Sequence, residues 1–201
     1  MSKTTSATVI TNRERTETTR LALLDAARAL FVGKGYGDTS TPEIAVAAGI
    51  TRGALYHHFA DKRDLFRQVL QRESQAVAAD IEAAAPEQLS PREALLEGSK
   101  AYLNAMTAPG RTRLLLIDGP AVLGMEEIMA LDDTTSAASL REGLVRAGVG
   151  KDEVSLDALT PLLSAAFDRA ALAIDAGADV EETRTAMLWL LERALGPARK
   201  R

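Results

Sequence analysis

Cysteine is absent from this 201-residue chain, and histidine occurs only twice, side by side at His57 and His58. The first absence excludes disulfides, thiol nucleophiles and thiolate metal sites, and it fits a reducing cytoplasm. The second leaves no imidazole cluster. Neighbours on a helix point about 100° apart, so adjacent histidines make a poor metal pair, and no metal or other cofactor is expected. The sequence also lacks a serine–histidine pairing motif and a phosphate-cradling loop, so enzymatic activity is not expected. No apolar run approaches the ~20 residues of a membrane helix. The first twenty residues have no apolar stretch of the signal-peptide kind. Their Thr, Ser and charge content reads as a disordered arm over 1–15. No segment alternates like a β-strand.

What the chain does contain is apolar residues, 46% of the total, enough to build a core. Its charge is unevenly spread. Residues 1–67 carry ten Lys/Arg and seven Asp/Glu, hence +3; the remainder carries fourteen and twenty-one, hence −7, which together recover the net −4. A basic front on an acidic body is the distribution that a local DNA contact surface needs. A protein that coats DNA gains from broad positive charge instead, so the acidic body argues against an architectural binder.

Apolar spacing and punctuation predict an all-α fold of about nine helices. The first covers about 16–32, with Leu23, Leu24, Ala27, Leu30 and Phe31 on one stripe. The second opens at Ser40, where Ser40 and Glu43 form a capping box and Pro42 sits in the first turn. It ends at Gly49. A third runs from Thr51 to about Phe59, and a long fourth from Lys62 to about Ala84. Five more are expected near 91–107, 111–117, 124–147, 153–176 and 179–195. Three domains follow: the arm, a helix-turn-helix domain over 16–61, and an effector-binding and dimerisation domain over 62–201.

Within TPEIAVAAGITRGALYHHF, residues 41–59, a supporting helix, a tight turn at Gly49 and a second helix follow at helix-turn-helix spacing. Leu55 and Phe59 point to the core; Thr51, Arg52, Tyr56 and His57 fall largely opposite. Arg52 suits guanine or phosphate, Ala54 a thymine methyl, and Tyr56, His57 and His58 phosphate oxygens. Lys62 adds charge just beyond. Four of them have a plainer reading: Tyr56 as core aromatic, His58 packed on the first or the fourth helix, Arg52 as a solvated charge, and Lys62 as a first-turn residue of its helix.

At Phe31, Gly35, Tyr36, Thr39, Ile44, Ala45, Ala48, Gly49, Gly53, Leu55, Tyr56, His58, Phe59, Lys62 and Leu65 the segment 31–66 closely resembles the DNA-binding domain of TetR-like transcriptional repressors. Ile50 and Thr51 stand where that family usually has Val and Ser. The resemblance implies Thr41 as a phosphate contact; Thr51, Arg52 and Ala54 as base readers; and Tyr56, His57, His58 and Lys62 as mainly phosphate contacts. It also implies a homodimer on a palindromic double-stranded operator, released by a small-molecule effector that remains unidentified.

In the C-terminal body, Leu163, Ala166, Ala170, Leu188 and Leu191 lie on apolar stripes expected to serve as core or dimer interface. Asp118 falls inside an apolar run. Either it caps the turn before Gly119-Pro120, or it lines an effector pocket with Met106, Met125, Met129 and Phe167.

Overall fold

The computed structural model describes residues 12–86, 88–149 and 154–196. Among them every regular element is helical: α1 (Asn12–Lys34), α2 (Thr41–Ala47), α3 (Arg52–His58), α4 (Lys62–Ala83), α5 (Pro91–Met106), α6 (Arg111–Arg113), α7 (Gly119–Leu123), α8 (Met125–Asp132), α9 (Ser136–Arg146), α10 (Leu156–Asp175) and α11 (Val180–Leu195). A π-helical turn, Leu114–Asp118, joins α6 to α7. The chain divides into two compact units, one ending at Val69 and one beginning at Leu70.

The first unit is α1, α2, α3 and the opening turns of α4. α1 starts earlier than its apolar stripe suggests: residues 12–15, expected in the arm, are its first turn, and residues 1–11 lie outside the described region. Glu14 complements the positive helix start. The Thr18 and Thr19 hydroxyls bond back to the carbonyls of Glu14 and Arg15, so these threonines satisfy the helix instead of breaking it. Leu23, Leu24, Ala27 and Phe31 from α1 are buried with Ile44, Leu55, Phe59, Leu65 and Phe66. Phe31, Tyr36 and Phe66 form an aromatic trio, the two phenylalanines edge to face at 5.0 Å. Leu65, Phe66 and Val69 are fully buried, so this unit extends past residue 61 into α4.

In the second unit one of the two longest expected helices is broken. The segment 124–147 forms two helices, because the polar run Asp132-Asp133-Thr134-Thr135-Ser136 supplies its own backbone partners. Thr134 and Thr135 hydroxyls both bond to the Leu131 carbonyl, and the Asp132 carboxylate accepts the Ala137 N–H. These local bonds compete with the helical ladder. The core of this unit gathers Leu95 and Leu103 from α5, Leu144 from α9, Leu163, Phe167 and Ala170 from α10, and Met187 and Leu191 from α11. A buried ion pair, Arg111 to Glu73 at 2.9 Å, with Arg111 also donating to the Ala105 carbonyl, ties the loop after α5 to α4. Gly119 and Gly143 mark close approaches. A Cβ on Gly119 would lie 3.0 Å from the Leu114 carbonyl oxygen, and one on Gly143 would lie 2.6 Å from Leu95.

Candidate nucleic-acid interface and candidate effector cavity

α2 begins with the expected capping box. Ser40 accepts the Glu43 N–H, and Glu43 accepts the Ser40 N–H at 3.0 Å. Lys34 and Ser40, both bonded to the Glu43 carboxylate, hold it down at about 2, far below the usual carboxylate range. Gly49, at φ +67, makes the turn that side-chain-bearing residues disfavour. Thr51 then caps α3 by accepting the Ala54 N–H at 3.2 Å. Leu55 and Phe59 are buried, and this fixes which side of α3 faces outward.

On that outward side stand Thr51, Arg52, Gly53, Tyr56 and His57, all exposed, with Ala54 half-buried beside them. Nothing lies within 4 Å of where a Gly53 Cβ would be, so the first turn of α3 presents open backbone. The Arg52 guanidinium lies 5.6 Å from the Tyr56 ring centroid. The Tyr56 hydroxyl pairs with Thr41 at 2.9 Å; this hydrogen bond, then Arg52, draws the phenol below its ordinary value. Arg52, Tyr56 and Thr41 are therefore one linked group spanning α2 and α3.

Three of the expected contact residues sit differently from the rest. Thr41 is only 9% exposed, with its hydroxyl bonded to that of Tyr56. His58 is half-buried; burial first, then the neighbouring His57 and Arg20, keep its imidazole below the usual value, and Glu17 of α1 opposes them weakly. Lys62 donates to the carbonyls of Tyr36 and Thr39, each at 2.9 Å, and lies 4.2 Å from the Tyr36 ring centroid. Its charge is engaged in closing the loop between α1 and α2. Sequence reasoning missed this role, although the spacing of Tyr36 and Lys62 was part of the pattern that singled out the segment.

The five residues expected to line one pocket are not brought together. Met125 and Met129 are 59% and 55% exposed on α8. Asp118 does not cap the turn: it lies in the π-helical turn, 3.4 Å from Arg113 Nε. Met106 borders a small cavity of about 240 Å³ with Thr112 and Ile174. Only Phe167 borders the large cavity of the second unit, about 540 Å³, lined by α4, α5, α9, α10 and the Thr134–Thr135 turn. Its other walls include Ile81, Leu95, Ser99, Tyr102, Leu140 and Ser164. That volume falls in the range of small-molecule sites. Likewise, Leu163, Ala170 and Leu191 are buried within the unit's own core, because α10 and α11 pack on each other and on α5 through those stripes. Ala166 and Leu188 are half-buried. The large apolar residues these helices turn outward include Leu162, 70% exposed, and Trp189, 57% exposed, with Leu190 beside it.

A helix-turn-helix head followed by a second helical unit with its own core and cavity is the architecture of a helix-turn-helix regulator. Residues 23–69 match the family of bacterial regulatory proteins of the tetR type, and residues 92–197 match the tetracyclin repressor-like C-terminal domain. The chain belongs to the TetR family. A TetR-family transcriptional regulator from Pectobacterium atrosepticum is 30% identical in sequence, with a TM-score of 0.69 over 95% of this chain and 100% of that one. The regulator AcrR of Shigella flexneri is 49% identical over 57 residues, which is 28% of this chain and 26% of that protein. The chain thus matches about a quarter of the length of that curated relative. LfrR of Mycobacterium smegmatis, solved in complex with proflavine, is 22% identical and shares the fold, with a TM-score of 0.62 over 92% of this chain and 98% of that one. These relatives are regulators, not enzymes. Among the described residues no helix is long and apolar enough to cross a membrane.

Proposed function

We propose that the protein is a cytoplasmic, dimeric transcriptional repressor that binds a palindromic operator through α3 and leaves it when a small molecule fills the cavity of about 540 Å³. The observation that carries the DNA reading is the outward face of α3. It offers a planar guanidinium at Arg52, hydroxyls at Thr51 and Tyr56, an imidazole at His57, and open backbone at Gly53, while Leu55 and Phe59 anchor the opposite side. Free N–H groups at a helix start and a bidentate Arg are what phosphate and guanine recognition require. In this reading Thr51, Arg52 and Ala54 meet base edges, and Tyr56 and His57 grip the flanking phosphates. Thr41 orients Tyr56, and Lys62 holds the loop that supports α2.

Reading a palindrome requires two copies related by a two-fold axis, with recognition helices ~34 Å apart. The exposed Leu162, Trp189 and Leu190 offer apolar surface for that pairing. The cavity supports the effector part, as does the family match of residues 92–197 to a repressor-like domain. A ligand that binds the operator-free form more tightly shifts the population off DNA by that difference in affinity.

The test is a binding selection from random duplex DNA with wild type and Arg52→Ala. The expected outcome is a palindromic site for wild type, and a loss of about 1–3 kcal/mol with relaxed preference at one base position per half-site for the variant. Unchanged base preference in the variant would refute the reading role of Arg52. Enrichment of no sequence at all would refute the operator.

A further inference from the structure

Most of the hydroxyls that line the large cavity, those of Ser99, Tyr102, Thr134, Thr135, Ser139 and Ser164, share one property: their protons are already committed within the protein. Tyr102 donates to Asp168 at 2.6 Å and Ser164 to Asp132 at 3.1 Å. Ser99 donates to the Leu95 carbonyl at 2.7 Å, Thr135 to the Leu131 carbonyl at 3.0 Å, and Ser139 to the Thr135 carbonyl at 3.2 Å. A hydroxyl has one proton and two lone pairs. With the proton spent, what remains for an occupant is lone pairs, so these hydroxyls act as acceptors.

Charge points the same way. Asp132 and Asp168 stand one hydrogen bond behind cavity-lining hydroxyls, from α8 and α10, and each acts on the other as like charge. Among the described residues, no Lys or Arg pairs with either carboxylate. Burial, then the neighbouring charge, pushes the Asp168 carboxyl up to about 6. The cavity wall also holds Glu82 and Glu142, both exposed, and the one basic side chain there, Arg146, already faces Glu142 at 3.8 Å. An anion would meet lone pairs and unneutralised carboxylates. A neutral hydrocarbon would cover Leu95, Leu140 and Phe167 but leave the acceptors unpaired. An N–H-bearing cation satisfies both.

We infer that the cavity takes a lipophilic primary or secondary ammonium ion, its N–H groups on the oxygens of Tyr102 and Ser164, with Asp168 and Asp132 as counter-charge and its apolar body on Leu95, Leu140 and Phe167. This rests on the reading of the cavity as the effector site, and it names the chemistry of the effector.

Three probes with one aromatic body separate the charge classes: 2-naphthylmethylammonium, 2-naphthylmethanol and 2-naphthoate, titrated calorimetrically into the full-length protein near neutral pH. The ammonium ion is expected to bind about tenfold or more tightly than the alcohol, with naphthoate weakest. In Asp168→Asn the ammonium ion should lose most of that lead while the alcohol keeps its affinity. Asp132→Asn should act in the same direction and serves where the first variant folds poorly, as judged by circular dichroism. Alcohol or naphthoate binding as tightly as the ammonium ion would overturn the inference and leave the effector cavity standing, as would a lead untouched by both folded variants. Saturable binding by none of the three, or binding unaffected by filling the cavity with Ala94→Trp, would overturn the inference and the effector reading of the cavity together.

Discussion

Asp168 places a pH-dependent cost in the second unit, and replacing it with asparagine should remove that cost. Its carboxyl sits at about 6 in the folded chain against an ordinary 3.8, because burial and then the nearby Asp132 disfavour the charged form, while the Tyr102 hydroxyl offsets part of that by hydrogen bonding. A carboxyl whose folded value is raised binds its proton more tightly in the folded state than in the unfolded one. The cost is therefore absent below about pH 4, grows as the pH rises through 4 to 6, and is complete above that, at about 3 kcal/mol. Asparagine keeps the shape and keeps an oxygen to accept the Tyr102 hydroxyl, as the protonated carboxyl does, but it carries no charge at any pH. The net expectation for Asp168→Asn is a gain of about 2–3 kcal/mol near pH 8 and little change near pH 4, where the folded Asp168 is itself neutral. Urea denaturation followed by far-UV circular dichroism, at both pH values and one fixed protein concentration, reads the difference. The other titrating groups are common to both proteins and cancel, except Asp132, whose ionisation becomes easier and adds to the gain. A stability change of equal size and sign at the two pH values would refute the reasoning.

Other perturbations test other parts of the molecule. Arg111→Met breaks the buried ion pair with Glu73, so it should cost about 3–5 kcal/mol by the same denaturation assay, far more than loss of the exposed Arg141–Asp157 pair. Gly119→Ala pushes a methyl against the Leu114 carbonyl and the Ile128 and Leu70 side chains at 3.0–3.1 Å, and should destabilise by about 1–3 kcal/mol. Lys62→Met loses two carbonyl bonds and the Tyr36 contact; a drop in stability of about 1–3 kcal/mol with DNA affinity of the folded fraction unchanged would separate a loop clasp from a phosphate grip. Trp189→Glu together with Leu162→Glu should shift light scattering from dimer to monomer, and a persistent dimer would move the interface off this face.

The first unit was legible because its determinants are local. A capping box spans four residues, the Gly49 turn is one residue, and the Leu55–Phe59 spacing alone orients α3. The outward set Thr51, Arg52, Tyr56 and His57 follows from that spacing without any tertiary knowledge. What periodicity did not disclose is where each long polar side chain ends. Lys62 reaches back across 26 residues to the Tyr36 carbonyl and Thr41 across 15 to Tyr56, and neither distance leaves a trace in a helical pattern.

The second unit obeys the opposite logic. Its apolar stripes on α10 and α11 are real, yet periodicity cannot say whether a stripe faces the same chain or another. Here Leu163 and Leu191 close the chain's own core, and the outward positions adjacent to them, Leu162 and Trp189, stay exposed. Methionines are equally ambiguous, since a flexible apolar side chain suits cavity, core and surface alike, and Met125 and Met129 lie at the surface. The cavity is instead marked by polar residues that single-helix reasoning passes over. Tyr102 lies 66 residues from Asp168, and Asp132 lies 32 from Ser164; each is an unremarkable polar position on its own helix. Their meaning arises only when α5, α8 and α10 meet and leave two carboxylates without a cation. A buried charge lacking a partner costs stability, and the chain gains nothing from it as a scaffold. An occupant that supplies the missing positive charge recovers that cost on binding. The residues that make the second unit less stable are thus the ones that would let it discriminate among ligands.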